Sequence, residues 1–162
     1  MTSLTVHEPS GSRARLGRST GQRDDTGFEV LDRGECVSFL SKATVGRVAV
    51  TIGALPVVLP VNFSVIGEEI VFLTGEGTKL TAALRGTVVA FEVDWADELS
   101  REAWSVHAVG VSRVMEAEAA DWAAVERAGL RPWAPMANPH IVKIEPTKLS
   151  GRRYPPRAAL NI

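Results

Sequence analysis

Thr78 and Lys79 follow two glycines, Gly75 and Gly77, in the stretch IVFLTGEGTKLTAAL from Ile70 to Leu84. A hydroxyl, an ammonium and glycine backbone that a ligand can approach closely make an anion site, above all a phosphate site. The flanking residues are suited to positioning one. Ile70 to Leu73 are apolar and β-rich, so a strand leads in. A helix restarts at about Thr78 or Lys79, and a helix start offers free N–H groups and the positive end of a dipole. The plain alternative is a strand–turn–helix with a solvated lysine. GEGTK lacks the spacing of a Walker loop, and the chain has no G-x-G-x-x-G.

Other chemistry is thin. His7, His107 and His140 have no metal-ligand spacing among them, so no metal site is expected. Ser64 and Ser105 sit in strand-like runs and not on a strand-to-helix elbow, which argues against a serine hydrolase. Asp94, Asp97, Glu98 and Glu102 cluster in a polar stretch and read as a solvated loop. Cys36, the one cysteine, falls on the apolar side of a helix and reads as a small core residue. No nucleophile or acid/base pair stands out, so the catalytic residues stay unknown. A phosphate loop with aromatic residues and a proline-marked strand suits a phosphorylated, planar cofactor that brings its own chemistry.

The elements that must hold such a site follow from the pattern. With 162 residues the chain can bury one core. A net charge of −1 gives no reason to expect nucleic acid or an anionic membrane as partner. No apolar run nears the roughly 20 residues of a membrane span, and no signal-like h-region follows the start, so a cytoplasmic location is expected. Residues 1–27 read as a disordered tail of Gly, Ser, Thr and Arg. Asp32 and Glu35 have capping-box spacing and open a helix from about Arg33 to Ala43, with Gly46 as its stop.

From Arg47 the period shortens. RVAVTI, PVVLPVNFSVI and EIVFLT are strands joined by turns at Gly53-Ala54 and Gly67-Glu68. Pro56 and Pro60 require the second to be an edge strand or to bulge near Pro60. A short helix, Lys79 to Arg85, precedes strands TVVAFEVD and WSVHAVGVSRVM, with WADELSRE as a loop between them. Asp121 caps a helix to Ala128. RPWAPMANP is an irregular loop, HIVKIEP a sixth strand, and the basic end a partly ordered strand and tail. Six strands in meander order with marginal helices predict a mainly β fold, a closed or nearly closed antiparallel barrel.

The succession VGRVAV, PVVLPVNF, IVFLTGEGTKL, VAFEVD, WSVHAVGVSRV and IVKIEPTKLSGRRY resembles the pyridoxamine 5′-phosphate oxidase-like split-barrel flavoproteins. More narrowly it is similar to their nitroimidazole-resistance-type branch. The likeness covers about residues 28–154, with 155–162 left as a C-terminal tail. It implies a six-stranded antiparallel split β-barrel and a homodimer with FMN at the subunit interface. Carried over by position, Pro60, Val61, Asn62 and Phe63 lie against the flavin ring and Thr74 reaches its pyrimidine edge. Gly77, Thr78 and Lys79 hold the phosphate. Trp104 and the Arg152–Arg153 pair match positions that often come from the second subunit. Ala103 stands where many relatives have glycine, and the basic residues that clamp the oxidase's substrate phosphate have no match here. The resemblance thus implies an FMN-dependent oxidoreductase acting on a small molecule. The alternatives are a flavin- or haem-sequestering module, or a deazaflavin-dependent reductase, for which the sparse basic residues near Lys79 are a poor fit.

Overall fold

Gly53 and Ala54 both adopt positive φ, 57° and 65°, the geometry of a tight two-residue hairpin turn. They join β2 (Val45–Ile52) to β3 (Leu55–Ile66), which pair without a break in register from Val45↔Asn62 to Ile52↔Leu55. Gly67, at φ 66°, turns β3 into β4 (Glu69–Gly75). The computed structural model describes residues 22–75 and 79–154, the side chain of Lys79 excepted.

A second set of antiparallel neighbours follows: β5 (Thr87–Asp97), β6 (Glu102–Val114) and β7 (Pro139–Tyr154). β2 pairs with β5 and β4 with β7, so the six long strands close into a ring, β2–β3–β4–β7–β6–β5. The fold is the expected six-stranded antiparallel split barrel. Its strand order is not a simple meander: two three-stranded meanders are joined through these two cross pairings. A three-residue β1 (Glu29–Leu31), absent from the sequence reading, adds to the far end of β7.

Alternation along the strands fills the barrel. Val48, Val50, Phe72, Phe91, Val93, Val106, Val142 and Ile144 point inward and are fully buried or nearly so. Each contributes about 1.5–3 kcal/mol relative to exposure. β4 is buried on both faces, which is why IVFL reads as a continuous apolar run. Ile70 and Phe72 face the barrel, while Val71 faces a second cluster with Val125, Leu130 and Ile141 beneath α3 (Ala119–Arg127).

Three expectations need correcting. The first helix, α1 (Arg33–Leu40), has its capping box, with Glu35 N–H on Asp32 Oδ1 and Asp32 N–H on Glu35 Oε2, both 2.8 Å. It ends at Leu40 with Ser41 as its C-cap, and Gly46 lies inside β2, where a Cβ would meet the Phe91 ring at 2.2 Å. α3 starts after Glu118, so Asp121 is its third residue; its carboxylate accepts from the Glu118 N–H and from the Lys143 ammonium. The loop WADELSRE shrinks to a turn between Asp97 and Glu102, since the two strands continue pairing through it. The sheet's bulge is on β7, where Thr147 is the extra residue opposite Val109 and Gly110 of β6. A Cβ on Gly110 would sit 2.0 Å from the Glu145 carbonyl oxygen, so only glycine permits that approach.

Residues 22–27, read from composition as tail, carry structure. Asp24 Oδ1 accepts from the Thr26 N–H and hydroxyl and the Phe28 N–H, and its other oxygen meets Arg152 at 3.2 Å. Among the described residues no helix is long and apolar enough to cross a membrane.

Candidate functional site

The barrel splits between β3 and β4. Among the described residues the two strands pair only from Phe63↔Phe72 to Ile66↔Glu69. Beyond Phe63, β3 keeps β2 as its one neighbour among them and β4 keeps β7. The Phe63 N–H donates to the Thr44 carbonyl at 3.1 Å, on the β2 side. By strand alternation the N–H of Asn62 turns the other way, toward the split, as do positions 56, 58 and 60. Pro56 and Pro60 therefore remove no bond from the β2 ladder, and the edge-strand expectation is met.

The split opens a cleft of about 360 Å³, near the low end of the range for small-molecule sites. Pro60, Val61 and Asn62 form one wall and Leu73, Thr74 and Gly75 the other. Leu80 of α2 (Lys79–Ala83) closes the bottom, and Trp133 and Met136 lean in from the loop after α3. Thr74 is buried; its Oγ1 lies 3.4 Å from that of Thr81, which donates to the Gly75 carbonyl at 2.7 Å. This polar pair ties β4 to α2 at the mouth of the barrel.

Four expected site residues, Pro60, Val61, Asn62 and Thr74, thus meet in one cleft. Phe63 is placed differently. Its side chain is 2% exposed and packs edge-on against Phe91 at 4.9 Å, so it anchors β3 in the core. Trp104 and Arg152 lie outside the cleft. Trp104 is half-buried against Phe39 at 4.9 Å, and Arg152, one strand over on β7, pairs with Asp24. The calls on Gly77 and Thr78, and the side chain of Lys79, fall outside the described residues.

Groups with acid/base or nucleophilic chemistry lie elsewhere. Cys36 is fully buried; burial first, then the nearby Asp32 and Glu35, push its thiol up to about 11. His107 is exposed on the outer face of β6, opposite Glu92. His140 lines a separate hollow with Arg85 and Trp122. The sequence reading did not place Trp133 at the cleft; its backbone N–H donates to Asn62 Oδ1 at 3.3 Å and its side chain is 80% exposed. The one available signal was a tryptophan set in a proline-rich loop.

A model of the family described as pyridoxamine 5′-phosphate oxidase matches residues 32–153. An uncharacterised Mycobacterium tuberculosis protein is 35% identical over 128 residues, covering 76% of this chain and 83% of that one. The structure of an FAD-binding protein from Mycobacterium smegmatis is 37% identical with a TM-score of 0.67, covering 77% of this chain and 98% of that one. A Corynebacterium glutamicum protein described as a pyridoxamine 5′-phosphate oxidase is 28% identical with a TM-score of 0.69, covering 79% and 98%. Family match, fold and the split beside β3 agree: the chain belongs to the pyridoxamine 5′-phosphate oxidase-like family.

Proposed function

We propose that the chain is a flavin-binding oxidoreductase that holds FMN with its ring in the split between β3 and β4. The observation that carries this reading is the unpaired edge Pro60–Asn62 facing Thr74 across the cleft. The edge offers a flat wall and a backbone donor at Asn62, and Thr74 offers a hydroxyl at the base. Those are the contacts a planar heteroaromatic ring with polar edges needs. Gly77, Thr78 and Lys79, which lead into α2, take the phosphate. The likeness to an FAD-binding protein at 37% identity supports a flavin in general.

A bound flavin supplies the electron-transfer chemistry that the chain's own side chains lack. The protein's part is to orient and shield. Pro60 and Val61 would hold the ring, the Asn62 N–H would donate to it, and Leu80 with Met136 would keep water out. No general acid or base is assigned.

The reading also makes the protein a homodimer, with Trp104 and Arg152 completing the second subunit's cleft. One feature of the surface supports this. Val58, Ala49, Ala90 and Val109 lie side by side across the outer faces of β3, β2, β5 and β6, an apolar row four strands wide. Val58 is 61% exposed in the single chain, the kind of surface a partner covers.

The test is reconstitution. The purified chain should bind FMN with a flavin absorbance spectrum, scatter light as a dimer, and be bleached anaerobically by NADH or NADPH, with recovery on adding an acceptor. A colourless protein that quenches neither FMN nor FAD fluorescence refutes the flavin reading. Binding without reduction favours a sequestering module instead.

A further inference from the structure

Beyond Asn62, on the far side of Trp133 from the flavin cleft, the outer face of β3 carries a second hollow of about 450 Å³. Its walls are the end of α1 with Thr44 on one side and the loop from Ala128 to Trp133 on the other; Ser64 forms the floor. Three features set it apart from ordinary surface. Trp133 is 80% exposed at its rim, although an indole is among the most costly side chains to leave in water. Arg131 lines it and makes no ion pair with any described residue. Among the described residues no carboxylate lines the hollow to neutralise that cation. The Trp133 backbone is fixed by its bond to Asn62 Oδ1, and Leu130 is buried beneath α3, so the loop presenting both side chains is held at two points.

We propose that this hollow binds a flat aromatic carboxylate, stacked on Trp133 and paired to Arg131. Aromatic stacking and a planar guanidinium together select ligands that are both flat and anionic. The Thr44 hydroxyl gives the polar edge of the ring a place to bond, and Ser64, whose hydroxyl already donates to the Ala128 carbonyl at 3.3 Å, offers an acceptor. Asn62, Leu130, Pro132 and Trp133 line both this hollow and the flavin cleft, so a ligand here sits one side-chain layer from the cofactor position. The site itself does not depend on the flavin reading.

Calorimetric titration of the full chain with naphthoate and with its uncharged amide, naphthamide, tests this with and without FMN present. The expected result is one naphthoate per chain, with naphthamide about tenfold weaker, the scale of one exposed charge-assisted contact. Arg131→Gln should erase the difference between the two probes and leave FMN titration unchanged. Trp133→Ala should weaken both probes. The proposal is overturned if naphthoate shows no saturable binding at millimolar concentration, or if Arg131→Gln still prefers the anion. It is equally overturned if FMN displaces naphthoate one for one, which would put the probe in the cofactor cleft. Failure of FMN to bind removes the flavin reading alone, since the naphthoate titrations are read on the free chain as well.

Discussion

Phe63 separates two ideas about how β3 meets a cofactor. The resemblance places it against the ring, whereas its side chain is 2% exposed, turned into the barrel and 4.9 Å from Phe91 in an edge-on contact. Gly46 leaves the space that the Phe91 ring occupies. Phe63→Leu keeps an apolar filler and removes the ring pair, about 0.5–1.5 kcal/mol. Adding the cost of a small cavity brings the loss to about 1–3 kcal/mol. For a chain of this size each kcal/mol lowers Tm by about 2–4 °C, so a fall of roughly 3–10 °C is expected in a thermal melt. Flavin affinity, read by fluorescence quenching in the same buffer, should change by less than about threefold, under ~0.7 kcal/mol. The cleft is walled by the neighbouring Pro60 to Asn62 and not by this ring. A tenfold loss of FMN affinity at unchanged Tm would refute the argument and return Phe63 to the cofactor.

Lys79→Ala should weaken FMN by about one to two decades and leave riboflavin nearly unchanged, the signature of a charge-assisted phosphate contact; equal weakening of both makes the lysine structural. Gly110→Ala forces a methyl to within 2.0 Å of the Glu145 carbonyl oxygen, with backbone on both sides, and should cost at least about 2–3 kcal/mol in chemical denaturation. A melt within one degree of the parent chain would show that the bulge can open. Asp24, Asp97 and Asp121 all have carboxyls held below the ordinary 3.8, chiefly by side-chain hydrogen bonds from Thr26, Ser100 and Lys143. Groups depressed in the folded state stabilise it above their unfolded value, and that stabilisation is lost as pH falls through the folded one. Stability should therefore be flat at neutral pH and decline below about pH 4, and Asp121→Asn with Asp97→Asn should flatten the decline; an unchanged acid limb would show that these bonds do not couple to folding.

What could be read from the residues alone was local. The hairpin turns at Gly53 and Gly67, the Asp32–Glu35 box and the doubly buried run of β4 each depend on neighbours in sequence. Pro56 and Pro60 announce missing donors, which leaves an edge strand and a bulge as alternatives, and the edge is the one the fold realises. The bulge on β7 lies where Gly110 meets Glu145, 35 residues on, and a glycine in a strand does not name its partner. Closure through β2–β5 and β4–β7 is non-local in the same way. Trp133 could be counted with the other tryptophans as an interface aromatic but not placed at the cleft, because it belongs to no periodic segment; its meaning comes from the two hollows it lines.

The prolines of β3 also explain why the barrel is split at all. Pairing of β3 with β4 keeps a constant register, Phe63 with Phe72 and Ser64 with Val71. Continued one way past Phe63, it would set Asn62 against Leu73, Val61 against Thr74 and Pro60 against Gly75. Positions 60 and 62 are the ones whose N–H faces β4, so Pro60 has no proton to give at the third step. On the β4 side the strand ends at Gly75, whose carbonyl accepts from the Thr81 hydroxyl of α2. The zipper therefore lacks a donor on one strand and loses an acceptor on the other at the same level. A residue with an N–H at position 60 would restore only half of that pairing. The opening is written into both strands, and the cleft it leaves is where Asn62 and Thr74 face one another.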